Sequence, residues 1–223
     1  MKISELLNEA YVHPDIDTIL RKKGYKFLGK GVDQRVYAEP KSGLVLKIFG
    51  TSQGKSGSAS ELTNAQKSFK TFYDATQADP NNEFLPNIIA YTPFMFKGKP
   101  YLQIRMEKLF PFTGPDVDEW NYTLAEFADD ADRGIYKSGK AFVDGLEKQI
   151  DKDSYGHTKY VQQLAILIGK EGLAKLYDTI LMLKRIARKN KYVLDLHDGN
   201  FMLGNDGTPV ISDPFFMGWG RST

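Results

Sequence analysis

The chain contains no cysteine. Disulfides, thiolate nucleophiles and cysteine-ligated zinc are thereby excluded. A cysteine-free chain is compatible with a reducing cytosol, and a cytoplasmic location is the expectation. Charge of one sign is lacking too: 30 Lys and Arg stand against 28 Asp and Glu, a net charge of +2. Binding to DNA or RNA through phosphates usually needs a basic patch or a strongly basic balance, so nothing here calls for a nucleic-acid partner. No apolar run approaches the length of a membrane span, and no membrane partner is expected. The first residues, MKISELLNEA, include two acidic side chains and no continuous apolar core, unlike a signal peptide. Ile3, Leu6, Leu7 and Ala10 fall at helical spacing. They suggest a short docking helix ended near His13-Pro14. Histidine is scarce, and His13 and His157 have no ligand pattern around them.

What is present fits an ordinary globular protein. The 223 residues are 41% hydrophobic and 26% charged, with 14 Phe and 12 Tyr to fill a core. GYKFLGKG, RVYAE and LVLKIF, with a Pro40–Gly43 turn, read as three antiparallel strands between Tyr25 and Phe49. TSQGKSGSAS is a Gly/Ser-rich loop. ELTNAQKSFKTFYDAT places Leu62, Ala65, Phe69, Phe72 and Tyr73 on one helical face. NIIAYTPFMF and KPYLQIRMEKL are two more strands joined at Lys97-Gly98-Lys99. Beyond Pro111 the pattern turns helical, near 124–136, 141–150 and 160–189. YVLDL, FML and PVIS then read as short strands leading to Asp213. The expected fold is α+β, with a five-stranded antiparallel sheet and one helix in residues 1–109 and a helix-rich 110–223.

Asp195-Leu196-His197-Asp198-Gly199-Asn200 places an Asp and an Asn five positions apart on a loop. Asp213 follows thirteen residues later at a strand end. Phosphoryl transfer needs a carboxylate at the acceptor hydroxyl and hard oxygen ligands for Mg²⁺, and these three residues can supply both. The kinase catalytic loop carries the same D-x-x-x-x-N spacing. In isolation the six residues also suit a polar turn. His197 reads as a positioning group, since Asp195 fits the hydroxyl better by spacing. Upstream, Gly29 and Gly31 sit between two strands, as a phosphate-cradling loop or a plain hairpin turn would. Lys47 lies among apolar residues in a strand, where it either finds a partner or points from an edge to solvent. Arg105–Leu109 stands at the passage from sheet to helices. Glu61 is open to two roles: a partner for Lys47, or the last residue of a Ser58-Ala59-Ser60-Glu61 capping box.

In this order the motifs resemble the protein-kinase-like superfamily from about Tyr25 to Phe215. The catalytic segment is similar to that of aminoglycoside phosphotransferases. GYKFLGKG, VLKIFG and LDLHDGNFMLGNDGTPVISDPFFM more closely resemble the early serine/threonine protein kinases of autographiviruses, the T-seven-type phages. The resemblance implies a two-lobed kinase-like fold with a reduced helical second lobe. It also implies an ATP-dependent serine/threonine protein kinase that modifies host proteins during infection. Asp195 would be the catalytic carboxylate, and Asn200 and Asp213 would hold Mg²⁺. Lys47, paired with Glu61, would contact the ATP phosphates. Gly29 and Gly31 would lie over those phosphates. Val36, Met106 and the backbone of Glu107 and Leu109 would line the adenine site.

The chain departs from the kinase pattern in several places. Gln34 replaces the third glycine of the phosphate loop. Val193 and Leu194 stand where His-Arg would precede the catalytic Asp. Pro214 and Phe215, not Phe-Gly, follow Asp213. Ten residues follow Asp213, too few for a full activation segment, so activity without loop phosphorylation is expected. Small-molecule phosphotransfer and a non-catalytic kinase-like module that binds a host protein are the alternatives. Lys184, Arg185, Arg188, Lys189 and Lys191 cluster at the end of the long helix, where the helix C-terminus favours cations. Asp116, Asp118, Glu119, Asp129, Asp130 and Asp132 read as a solvated acidic face, and Trp120 and Trp219 as packing anchors.

Overall fold

A computed structural model describes residues 12–31, 34–50, 63–112, 117–150, 158–196 and 198–216. The chain is α+β. It divides into two compact units, residues 1–80 with 87–108 and residues 81–86 with 109–223.

The first unit is built on five antiparallel strands: β1 (Lys26–Lys30), β2 (Gln34–Ala38), β3 (Leu44–Phe49), β4 (Ile88–Phe96) and β5 (Lys99–Glu107). Their order in the sheet is β1-β2-β3-β5-β4, so β3 is central. Four of its six residues are apolar and buried, and Lys47 is the buried exception. Both faces of the sheet are covered. Helix α1 (Pro14–Lys22) brings Val12 and Ile16 against Tyr37, Leu46, Ile48 and Tyr101 on one face. Helix α2 (Asn64–Ala78) buries Phe69 and Phe72. Tyr73 of α2 stacks on Tyr91 of β4, with ring centroids 5.2 Å apart.

Two helix boundaries differ from the sequence expectation. His13-Pro14 opens helix α1, a helix absent from the sequence expectation. The His13 ring nitrogen accepts from the Asp15 N–H at 3.1 Å, and Pro14 occupies the first turn, where its missing N–H costs nothing. The docking helix expected over residues 1–10 lies outside the described residues. Helix α2 begins at Asn64, capped by Thr63. The Thr63 hydroxyl accepts from the Gln66 N–H, and the Gln66 side chain accepts from the Thr63 N–H. The Ser58–Glu61 capping candidate lies outside the described residues.

The second unit holds α3 (Val117–Arg133), α4 (Gly139–Ile150) and α5 (Thr158–Asn190), followed by short strand pairs. Phe142 of α4 stacks on Tyr177 of α5 at 4.1 Å, and Phe127 of α3 meets Phe142 edge-on at 4.7 Å. Gly139 lets α4 start hard against α5, since a Cβ there would lie 1.8 Å from the Ala174 carbonyl oxygen. The Asp178 carboxylate accepts the Gly139 N–H at 2.7 Å. The long helix expected over 160–189 is interrupted: Gly169, with φ 72°, divides α5 in two.

Two charged residues expected on the surface are buried. Lys184 donates to the carbonyl of Ala131, serving the last turn of α3 and not the end of its own helix. Asp130 is buried, and its charge adds to burial in pushing the Tyr177 hydroxyl up to about 12. Among the described residues, no helix is long and apolar enough to cross a membrane.

Candidate functional site

Four of the expected nucleotide-binding residues of the first unit, Gly29, Val36, Lys47 and Met106, share one face of the sheet. Strand register pairs Gly29 with Val36, Val36 with Lys47, and Lys47 with Ile104. Val45, two residues before Lys47 and so on the same face, pairs with Met106. Gly29, Val36 and Lys47 thus form a row across three adjacent strands, with Met106 one step along. A bulge between Phe27 and Gly29 shifts the register of β1 as the row reaches its edge. Among the described residues, a Cβ at Gly29 would meet no atom within 4 Å. The Gly31 N–H closes the turn onto the Gln34 carbonyl at 2.9 Å.

Lys47 is 8% exposed, and its Nζ stands 5.7 Å from the centre of the Phe69 ring. Glu61, its expected helix partner, lies outside the described residues. The acidic side chain that α2 itself carries is Asp74, which is exposed and paired with Lys70. At the end of β5, the Glu107 N–H donates to the Asn87 carbonyl at 3.1 Å, and the Glu107 carboxylate accepts the Asn87 N–H at 2.8 Å. An adenine contact by the Glu107 backbone would therefore fall to its carbonyl. Leu109 is buried and belongs to the second unit.

In the second unit Asp195, Asn200 and Asp213 are brought together by backbone and amide hydrogen bonds. Strand β6 (Val193–Leu194) pairs antiparallel with β9 (Phe215–Phe216). The Asp195 N–H then donates to the Pro214 carbonyl at 2.8 Å, one residue past Asp213. A single 3₁₀ turn over Asp198–Asn200 carries the chain back, and the Asn200 side-chain amide donates to the Asp195 carbonyl at 2.7 Å. Strand β7 (Phe201–Leu203) pairs with β8 (Pro209–Ile211), and the Ser212 N–H donates to the Asn200 carbonyl at 2.9 Å. The ring is closed: 195 to 214, 200 to 195, and 212 to 200. Asp195 and Asp213 are half-buried, whereas Asn200 and Ser212 are buried.

The hairpin between β7 and β8 is set by the Asp206 carboxylate, which accepts the Thr208 N–H at 2.9 Å. That bond holds the Asp206 carboxyl below the usual carboxylate range. His197 lies outside the described residues. An apolar groove of about 300 Å³, lined by Val143, Leu146, Val161, Ala165 and Leu173, contains none of the expected site residues.

The donor set suits Mg²⁺ held jointly with a ligand. Among the described residues no group of three or more His, Asp or Glu side chains could hold a metal ion by itself. Mg²⁺ is commonly held by one or two protein oxygens plus substrate phosphates. Asn200, with its amide nitrogen turned to the Asp195 carbonyl, keeps its side-chain oxygen as a hard ligand to offer, and Asp213 would add a carboxylate.

Sequence patterning assigns no role at these sites to Ser212 or Gln66, and it places Phe69 on the apolar face of α2 without linking it to Lys47. Ser212 joins the ring through its backbone, and its hydroxyl reaches the Asn200 carbonyl at 3.4 Å. Gln66 and Phe69 fix α2 beside Lys47. The Thr63-x-x-Gln66 spacing carried a capping signal for the first of these. Compared with known proteins, the chain matches no family model and no curated protein sequence.

Proposed function

We propose that this protein is an ATP- and Mg²⁺-dependent phosphotransferase of the two-lobed kinase-like class, and specifically a serine/threonine protein kinase. The observation that carries this reading is the hydrogen-bonded ring through residues 195, 200, 212 and 214. It holds one carboxylate on a loop, one amide five residues on, and a second carboxylate on the adjoining segment. Phosphoryl transfer asks the protein chiefly for position and charge compensation. Asp195 accepts or orients the proton of the acceptor hydroxyl. Asn200 and Asp213 hold Mg²⁺, which supplies neutralisation of phosphate charge. Lys47 contacts the ATP phosphates, with Gly29 and Gly31 over them. Val36, Met106 and the backbone of Glu107 and Leu109 receive the adenine. The resemblance to early kinases of T-seven-type phages supports host proteins as the acceptors.

The test uses γ-labelled ATP, Mg²⁺ and bacterial lysate, together with a thermal melt. Mg-ATP raises the unfolding midpoint of the wild type, because a ligand bound to the native state stabilises it. Label appears in protein bands, and chelation of the metal removes it. Label confined to small molecules would replace the protein-kinase assignment with small-molecule phosphotransfer. No midpoint shift and no transfer would remove the phosphotransferase reading altogether.

A further inference from the structure

Lys47 places an ammonium in the interior of the first unit, on the central strand. A buried charge needs compensation. Its Nζ stands 5.7 Å from the Phe69 ring centre, within the range where the negative face of an aromatic ring attracts a cation. Other cation–ring pairs of this unit involve exposed cations: Arg21 at Phe27, Lys70 at Tyr73 and Lys97 at Phe96. The Lys47–Phe69 pair is buried on both sides, where the attraction is stronger.

The ring is also fixed in place. Phe69 is 1% exposed, with Phe49 tilted against it at 4.9 Å and Phe72 edge-on at 5.7 Å. Gln66, one turn earlier and on the same side of α2, is fully buried. Its side-chain oxygen accepts the Thr63 N–H at 2.8 Å, and its nitrogen donates to the Gly50 carbonyl at 3.2 Å. Gly50 follows the last residue of β3, three positions past Lys47. One side-chain amide therefore ties the start of α2 to the end of the lysine strand.

We infer that Phe69 is a positioning residue for Lys47: anchored through Gln66, its ring seats the ammonium and fixes how it meets the nucleotide phosphates. The second half of this inference rests on the phosphotransferase reading. The seating itself does not.

The test is acylation of Lys47 in the full chain without nucleotide, using acetyl N-hydroxysuccinimide at constant pH, read by mass spectrometry of the Lys47 peptide. Only the neutral amine reacts, so a ring that favours the cation protects Lys47. Phe69→Leu is expected to speed labelling roughly fivefold. Pentafluorophenylalanine placed at position 69 keeps the shape but reverses the ring's electrostatics, and gives the same acceleration. Phe69→Tyr keeps the wild-type rate. In the transfer assay Phe69→Leu raises KM for ATP, and Phe69→Tyr restores it. Wild-type labelling in the fluorinated chain overturns the inference, and it does so even where Phe69→Leu fails to fold. Equal acceleration by Phe69→Tyr also overturns it, because packing and not the ring face would then be responsible. Accelerated labelling in a chain that transfers no phosphate supports the seating and rejects the phosphotransferase reading.

Discussion

The sheet unit and the helical unit place their candidate residues by different means. On the sheet, Gly29, Val36, Lys47 and Met106 share a face because strand register puts them there, and buried aromatic side chains hold that register. In the second unit, Asp195, Asn200 and Asp213 sit on segments flanked by strands of two or three residues, and single hydrogen bonds hold them. The first kind of placement should tolerate the loss of a polar contact and suffer from lost core volume. The second should do the reverse.

The largest expected effect separates chemistry from folding. Asp195→Ala should lower transfer by about 10²–10⁴-fold, the usual range for a positioned acid–base group. The half-buried Asp195 side chain is no part of the core, so the unfolding midpoint should stay near wild type. A matching fall in the midpoint would break the comparison. Next is Phe72→Ala. Phe72 is fully buried in the first unit, and its truncation should cost about 3–5 kcal/mol in denaturant unfolding. Hydrogen exchange should quicken in α2 and β3 and remain unchanged in β7 and β8. Uniform acceleration would show that the two units share one cooperative core.

Asn200→Ala is a smaller change, removing the amide bond to the Asp195 carbonyl. It should cost about 1–2 kcal/mol and also lower transfer. Loss of activity at full stability would mean that the bond does not hold the loop.

The smallest effect lies in a surface network of the first unit. Arg105 and Ser42 hydrogen-bond Glu39 and hold its carboxyl below the ordinary value of 4.5. A depressed carboxyl contributes stability above its unfolded pKa, and that contribution is lost as pH falls through the folded value. Glu39→Gln should therefore lower the unfolding midpoint slightly at pH 7. The difference from wild type should shrink as pH falls below 4.5 and vanish only below the lower, folded value. A difference that persists in acid would assign the effect to packing.

Much of the sheet was legible because alternation and turn chemistry agreed. The Lys97-Gly98 turn between two alternating runs is a direct hairpin signal, and Lys97 and Gly98 both take positive φ there. Boundaries set by capping were less legible. Pro14 can stop one helix or start the next, and only the acceptor position of the His13 ring decides. Strand β9 has no periodicity of its own, since two phenylalanines become a strand only by pairing with Val193 and Leu194. The break at Gly169 falls where Gly169-Lys170-Glu171-Gly172 interrupts the apolar run, a signal that the helical periodicity on either side outweighed. Burial of Lys184 depended on a carbonyl fifty-three residues away. The spacing of Asp195, Asn200 and Asp213 was visible in the sequence, but the ring that joins them runs mostly through backbone groups that every sequence carries.

The most direct measurement is the rate of Mg²⁺-dependent phosphoryl transfer from ATP by wild type and by Asp213→Asn at matched unfolding midpoints. Asp213→Asn keeps the shape of the side chain while removing the charge assigned to the metal. Robust transfer is expected from the wild type and a loss of orders of magnitude in the variant, with folding unchanged. Equal transfer by both proteins would contradict the assignment of the ring as a Mg²⁺-ATP site.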